Sequence, residues 1–129
     1  HSNPRALLGG EGLEFSNRHL SDAMIRAIGA RGGVIGTVLY GFFLDHTWKR
    51  GMERVKLDVV GKHMAHTASL IGWDRVGLGS DFDGGFGLNE NPHGLDTPAD
   101  LQKIAALVPE AFQSGVLGEN WLRWLQGIF

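Results

Sequence analysis

Arg75-Val76-Gly77-Leu78-Gly79-Ser80-Asp81-Phe82-Asp83-Gly84-Gly85 is the stretch on which the reading of the fold turns. A short apolar run from Val76 to Gly79 leads straight into two carboxylates and a glycine pair. That is the pattern of a buried strand that ends by presenting Asp81 to a cleft. Where strands and helices alternate around a barrel, the active site lies at the carboxyl ends of the strands. An acid just beyond a strand is therefore better placed for chemistry than one on a helix face. Asp beside Gly is also ordinary turn chemistry, so on these residues alone both readings stand.

Working outward, residues 34–39 form a second apolar run rich in β-branched side chains, as expected of a strand buried on both faces of a parallel sheet. Before it, Ser21 is a good N-cap for a helix up to Arg31, with Met24, Ile25 and Ile28 on its apolar face and Gly32-Gly33 ending it. A glycine-containing loop precedes that helix. Residues 40–50 read as an irregular, aromatic-rich connection. Over residues 52–71, Val55, Val59, Met64 and Leu70 fit one or two amphipathic helices, with Gly61 arguing against an unbroken one and Gly72 closing the segment. Downstream, residues 84–96 are rich in Gly, Asn and Pro and are expected to cover the mouth of a site. Thr97 caps a helix that has Pro98 at its first position and runs to Leu107. A short helix is expected near Pro109, and a last one over residues 119–128 carries Trp121, Leu122, Trp124 and Leu125 on its apolar face. Helices alternating with strands predict an α/β fold with parallel pairing through right-handed crossovers.

The chain has 129 residues, enough for one domain with a core but short of the about 250 residues of a closed barrel of eight strand and helix units. A net charge of -2 with scattered basic residues gives no reason to propose nucleic acid or an anionic membrane as partner, and a small or peptide-like ligand fits better. With no cysteine there is neither disulfide nor thiolate chemistry, and the compartment stays open, with a slight lean to the cytoplasm. The longest nearly apolar run, residues 32–44, is too short and too glycine-rich to span a bilayer, so no direct membrane insertion is expected of this chain. The glycine-rich stretches lack the following Gly-Lys-Ser or Gly-Lys-Thr of a phosphate loop.

Three separated pieces carry a resemblance: His1-Ser2-Asn3 with Arg5-Ala6-Leu7, Asn17-Arg18-His19-Leu20-Ser21-Asp22, and Gly77-Leu78-Gly79-Ser80-Asp81-Phe82-Asp83-Gly84. With Gly32-Gly33-Val34-Ile35-Gly36 and Leu117-Gly118-Glu119-Asn120-Trp121-Leu122-Arg123, they make the chain resemble the carboxyl-terminal half of the membrane (renal) dipeptidase family of zinc peptidases. The resemblance implies the last strands and helices of a distorted TIM-like (β/α)8 barrel of the metal-dependent hydrolase type. Residues 1–129 would then be the carboxyl-terminal portion of one barrel domain whose amino-terminal half is absent. It also implies two zinc ions bridged by a carboxylate and a hydroxide, with the hydroxide attacking the carbonyl of a dipeptide.

By the same resemblance His1 is a zinc ligand, and its following residues argue against a tag remnant. Arg18 binds substrate, a planar permanent cation suited to a carboxylate or to a carbonyl oxygen gathering charge. Asp81 binds the substrate amine and passes the proton to the leaving nitrogen, which needs a donor. Without the resemblance, Arg18 would read as a loop arginine in water. Asp83 reads as a turn residue. His63 and His66, three apart, read as a solvated helix face rather than a metal pair. His19, His46 and His93 receive no role, and Trp121 with Trp124 reads as core packing.

The implied His-x-Asp pair, bridging glutamate, further zinc histidine and substrate histidine have no counterpart in this sequence. One candidate ligand does not make a two-metal site, and half a barrel leaves open sheet edges. The chain is thus expected to need its amino-terminal half or a homo-oligomeric partner. The rivals to a zinc dipeptidase are a non-catalytic, self-associating half-barrel and another metal-dependent amidohydrolase.

Overall fold

The computed structural model describes residues 1–8 and 17–128; most of the expected glycine-containing loop lies outside them. Two strands, β1 (Ile35–Thr37) and β2 (Val76–Leu78), pair in parallel with Ile35 opposite Val76 and Thr37 opposite Leu78. Hydrogen bonds beyond the strands, Gly79 N to Thr37 O at 3.1 Å and Leu39 N to Ser80 O at 3.4 Å, carry the two chains side by side up to the Asp81 turn. All three residues of β1 are buried, the polar Thr37 among them, as expected of a strand covered on both faces. The amino-terminal segment lies along the same sheet, with Ser2 N donating to Gly36 O at 3.0 Å.

Helix α1 (Asp22–Ala30) starts where expected: the Ser21 hydroxyl accepts from Met24 N at 3.3 Å. Its buried face is Ile25 and Gly29, while Met24 points to solvent, so the apolar stripe is narrower than the sequence suggests. Residues 40–50 are less irregular than expected, because Gly41–Leu44 form one short helix, α2. Phe42 and Phe43 leave that turn toward a shared aromatic cluster with Tyr40, and this packing supplies the order that local propensity does not.

A single helix, α3 (Leu57–Ile71), crosses between the strands and ends at Gly72, where φ is 89°. It buries Val60, His63, Met64, Thr67 and Ala68, one stripe at helical spacing. Gly61 does not interrupt it: a Cβ there would lie 3.3 Å from Leu107 Cβ, so the glycine is where the next helix packs closely. Burial of His63 corrects the solvated-face reading. Its Nε2 lies 2.9 Å from the Leu44 carbonyl, so α2 covers it. His66 instead meets Asp22 of α1 at 2.8 Å.

The 3₁₀ helix Pro98–Leu107 has the expected bounds, and Asp100 reaches back to accept from Thr97 N at 2.8 Å and Asp96 N at 3.0 Å. A short 3₁₀ turn, Glu110–Phe112, follows Pro109, and Gly115–Glu119 is a helical stretch broken at Gly118. Helix α4 (Asn120–Ile128) then leaves Leu122, Trp124, Leu125 and Ile128 exposed. Trp121 donates from Nε1 to Leu78 O at 3.0 Å, but Trp124 is not in the core. Trp124 packs edge to face on Trp121, ring centres 6.0 Å apart, on the side away from the core. Leu39, Leu44, Val60, Met64, Val76, Leu95, Ile104 and Val116 form the core between the sheet and the helices. No helix among the described residues is long and apolar enough to cross a membrane.

Candidate active site

The ends of the strands bring His1, Arg18 and Asp81 together, although they are far apart in sequence. Asp81 follows β2 in the left-handed region at φ 58°, and Asp83 two residues on has φ 68°. For a residue with a Cβ that conformation costs roughly 1 kcal/mol, and Asp tolerates it better than most. The turn is closed by Gly84 N donating to Asp81 O at 2.9 Å. The Asp83 side chain is exposed, so its contribution to the turn is that of its backbone.

One oxygen of the Asp81 carboxylate lies 3.6 Å from His1 Nε2 and the other 3.8 Å from Arg18 Nη2. The carboxylate thus stands between an imidazole and a guanidinium, all three partly open to solvent. Both separations exceed a direct hydrogen bond, leaving the groups near each other but not locked. His1 comes this close because Gly79 has no side chain: a Cβ there would fall on His1 Cβ.

Neighbouring contacts fix the two loops against each other. Ser2 Oγ donates to Arg18 O at 2.5 Å, Leu20 N to Asn3 O at 3.0 Å, and Arg5 Nη2 to His19 O at 3.2 Å. Asn3, buried, accepts from Val38 N at 2.9 Å and donates to Val38 O at 3.1 Å and Phe43 O at 2.9 Å. The Arg18 guanidinium carbon sits 4.6 Å from the centre of the Phe43 ring, a cation–π contact. His19 is buried beside Phe43 and His46, with ring centres 5.3 and 5.6 Å away. Burial, reinforced by His46 and Arg18, lowers its pKa from 6.5 to about 4, so it is neutral near pH 7.

A cavity of about 290 Å³ opens beside Asp81 and Arg18, walled by Tyr40, Phe43, Phe86 and Arg50. Phe86 stacks on Tyr40 at 4.7 Å and Gly84 and Gly85 line the same space, so the start of the expected mouth-covering loop does border the site. Arg50 is ion-paired with the buried Glu90, which also accepts from Gly87 N at 2.7 Å. Tyr40, Phe43, Phe86, Arg50 and the clamp of Asn3 are the parts that sequence reasoning missed. The aromatic density of residues 40–50 was the available signal.

A family model described as membrane dipeptidase (peptidase family M19) matches residues 1–128. The chain belongs to the membrane dipeptidase family. It is 33% identical over 108 residues to dipeptidase ataJ of Aspergillus terreus, covering 84% of this chain and 24% of that one. An uncharacterized dipeptidase of Schizosaccharomyces pombe is 30% identical over 120 residues, 86% of this chain and 27% of its own. Among solved structures, a metallopeptidase from Rhodobacter sphaeroides, liganded with a phosphinate mimic of the dipeptide L-Ala-D-Ala, superposes with a TM-score of 0.80 at 27% identity. That match covers 98% of this chain and 34% of the other. The chain therefore spans about a quarter to a third of these membrane dipeptidase relatives, and its α/β fold is a part of their TIM-like barrel.

Family membership implies a metal. At the strand ends this chain offers one imidazole and one carboxylate, and no group of three or more His, Cys, Asp or Glu that could hold an ion occurs among the described residues. A catalytic zinc takes three protein ligands. His1 fits as one such donor, and the described residues do not complete the set.

Proposed function

We propose that the complete protein is a zinc-dependent dipeptidase and that this chain is the carboxyl-terminal portion of its barrel. The observation that carries the reading is the Asp81 carboxylate held between His1 and Arg18 at the ends of parallel strands, beside a cavity sized for a small ligand. Membership in a family of dipeptidases supports the reaction class.

A zinc ion held there would supply, from water, a nucleophile available at neutral pH. His1 would be one of its ligands. Arg18, braced by Phe43, grips the substrate carboxylate or a carbonyl oxygen as charge builds on it. Asp81 accepts a hydrogen bond from the substrate amine, takes up the proton released by the attacking water and hands it to the leaving nitrogen, without which an amine is a poor leaving group.

Replacing Arg18 by Ala in the complete protein is expected to raise KM about tenfold or more for a dipeptide, the cost of a charged hydrogen bond, and to change KM little for a dipeptide amide. Equal KM changes for both substrates would remove Arg18 from carboxylate binding. The exposed apolar side chains of α4 favour a second reading for the chain in isolation: a half-barrel that associates with another copy and has no turnover of its own. Sedimentation of the isolated chain, monomer against dimer, decides that point.

A further inference from the structure

A second concave surface lies at the opposite ends of the strands from Asp81. This cleft, about 330 Å³, is lined by Arg31, Arg75 and Arg123 with Asp74, Asn120 and Trp124. Arg31 follows α1, Arg75 immediately precedes β2, and Arg123 lies in α4, so the fold gathers three permanent cations from three places against one carboxylate.

The third of these cations is held rigidly. Arg123 Nη2 donates to Asn120 Oδ1 and to Asp74 O, both at 2.8 Å. Asn120 is itself buried and donates to Trp73 O at 2.9 Å and Val76 O at 2.8 Å. The arginine fork therefore rests on a framework tied to the sheet. The Asp74 contact is through its backbone carbonyl, so it does not neutralise the guanidinium. Neither Arg31 nor Arg75 has a side-chain hydrogen bond or ion pair among the described residues. Arg31 lies at the carboxyl end of α1 and Arg75 at that of the single 3₁₀ turn Trp73–Arg75, so each offsets the negative end of a helical segment without being paired to a carboxylate. Three guanidiniums sharing one cleft repel one another, and an anion there relieves that repulsion. Their forked donors match the oxygens of a phosphate group, and Trp124 supplies an apolar wall beside it.

We propose that this cleft is a binding site for the phosphate group of a small soluble molecule, separate from the Asp81 site. The test titrates the complete protein with inorganic phosphate and with pyrophosphate at constant ionic strength, following tryptophan fluorescence and heat of binding, with chloride as the control. Saturable binding is expected, weakened about tenfold or more in Arg75→Gln and again in Arg31→Gln, the cost of a lost charged hydrogen bond, and weakened less in Arg75→Lys, which keeps the charge but not the fork. Trp124→Phe is expected to remove the fluorescence change and keep the heat. Circular dichroism checks that each variant is folded, and the lysine variant answers the question if the glutamine variant is not. No saturable binding of either anion, or equal binding by wild type and the Arg31→Gln/Arg75→Gln double variant, would overturn the assignment.

Discussion

At the scale of single residues, the site is built from side chains whose partners are remote in sequence. Phe43 carries the guanidinium of Arg18, and a cation–π contact at a partly exposed position contributes about 1 kcal/mol. Phe43→Leu in the complete protein is accordingly expected to raise KM for dipeptides by roughly fivefold with kcat nearly unchanged, the mark of a positioning residue. A fall in kcat at constant KM would place Phe43 in the chemical step instead. His19 makes a separate prediction about stability. Its folded pKa is about 4 against 6.5 when unfolded, so between those values the unfolded chain binds the extra proton. Its contribution is complete above pH 6.5 and is lost as pH falls toward 4, by roughly 3 kcal/mol. Buried His63 is shifted in the same direction. Urea unfolding across that window should show the slope, and His19→Gln should flatten it; identical pH profiles would contradict it. Asp81, Arg18 and His1 were legible in the sequence through motifs. Phe43 and Asn3 were not, because their roles depend on how the turn of α2 meets the first residues, which no local spacing encodes.

Among the elements, the two strands were the most legible part of the chain, since a fully apolar run bounded by glycines has few other uses. Helix α3 was legible as a helix but not in its continuity. Gly61 weighs against a helix only until the neighbouring segment that needs the space is known. The segment at residues 91–96 is held at four points by one side chain that sequence reading did not single out. Arg54 donates from Nε to Asn91 O at 2.9 Å, from Nη2 to Pro92 O at 2.7 Å and Leu95 O at 3.2 Å, and from Nη1 to Asp96 at 2.8 Å. Arg54→Ala leaves the Asn91 and Pro92 carbonyls without their side-chain donor, while Leu95 O keeps Asn91 Nδ2, and is expected to cost about 2 to 3 kcal/mol, with faster amide exchange over residues 91–96. Exchange as slow as in the wild type would show that the loop holds itself. An unpaired loop arginine and a clamping one look the same in sequence, because the difference lies in carbonyls about forty residues away.

For the whole molecule, the chain folds around one core and presents two ends of a small parallel sheet to different surroundings. The carboxyl end gathers a carboxylate, an imidazole and a guanidinium; the other gathers three guanidiniums. The exposed apolar face of α4 and a set of metal donors that the described residues do not complete both fit a chain that works inside a larger barrel. The exposure of Trp124 was not readable from the sequence, because amphipathic spacing says which side chains share a face and not what covers it. The proposed function requires Asp81 to move the proton in dipeptide hydrolysis. Its most direct test is kcat of the zinc-loaded complete protein carrying Asp81→Asn, with metal content measured on the same sample. A fall of about a hundredfold or more with zinc retained is expected, the usual reach of general acid–base catalysis. Turnover equal to wild type at equal zinc content would contradict it.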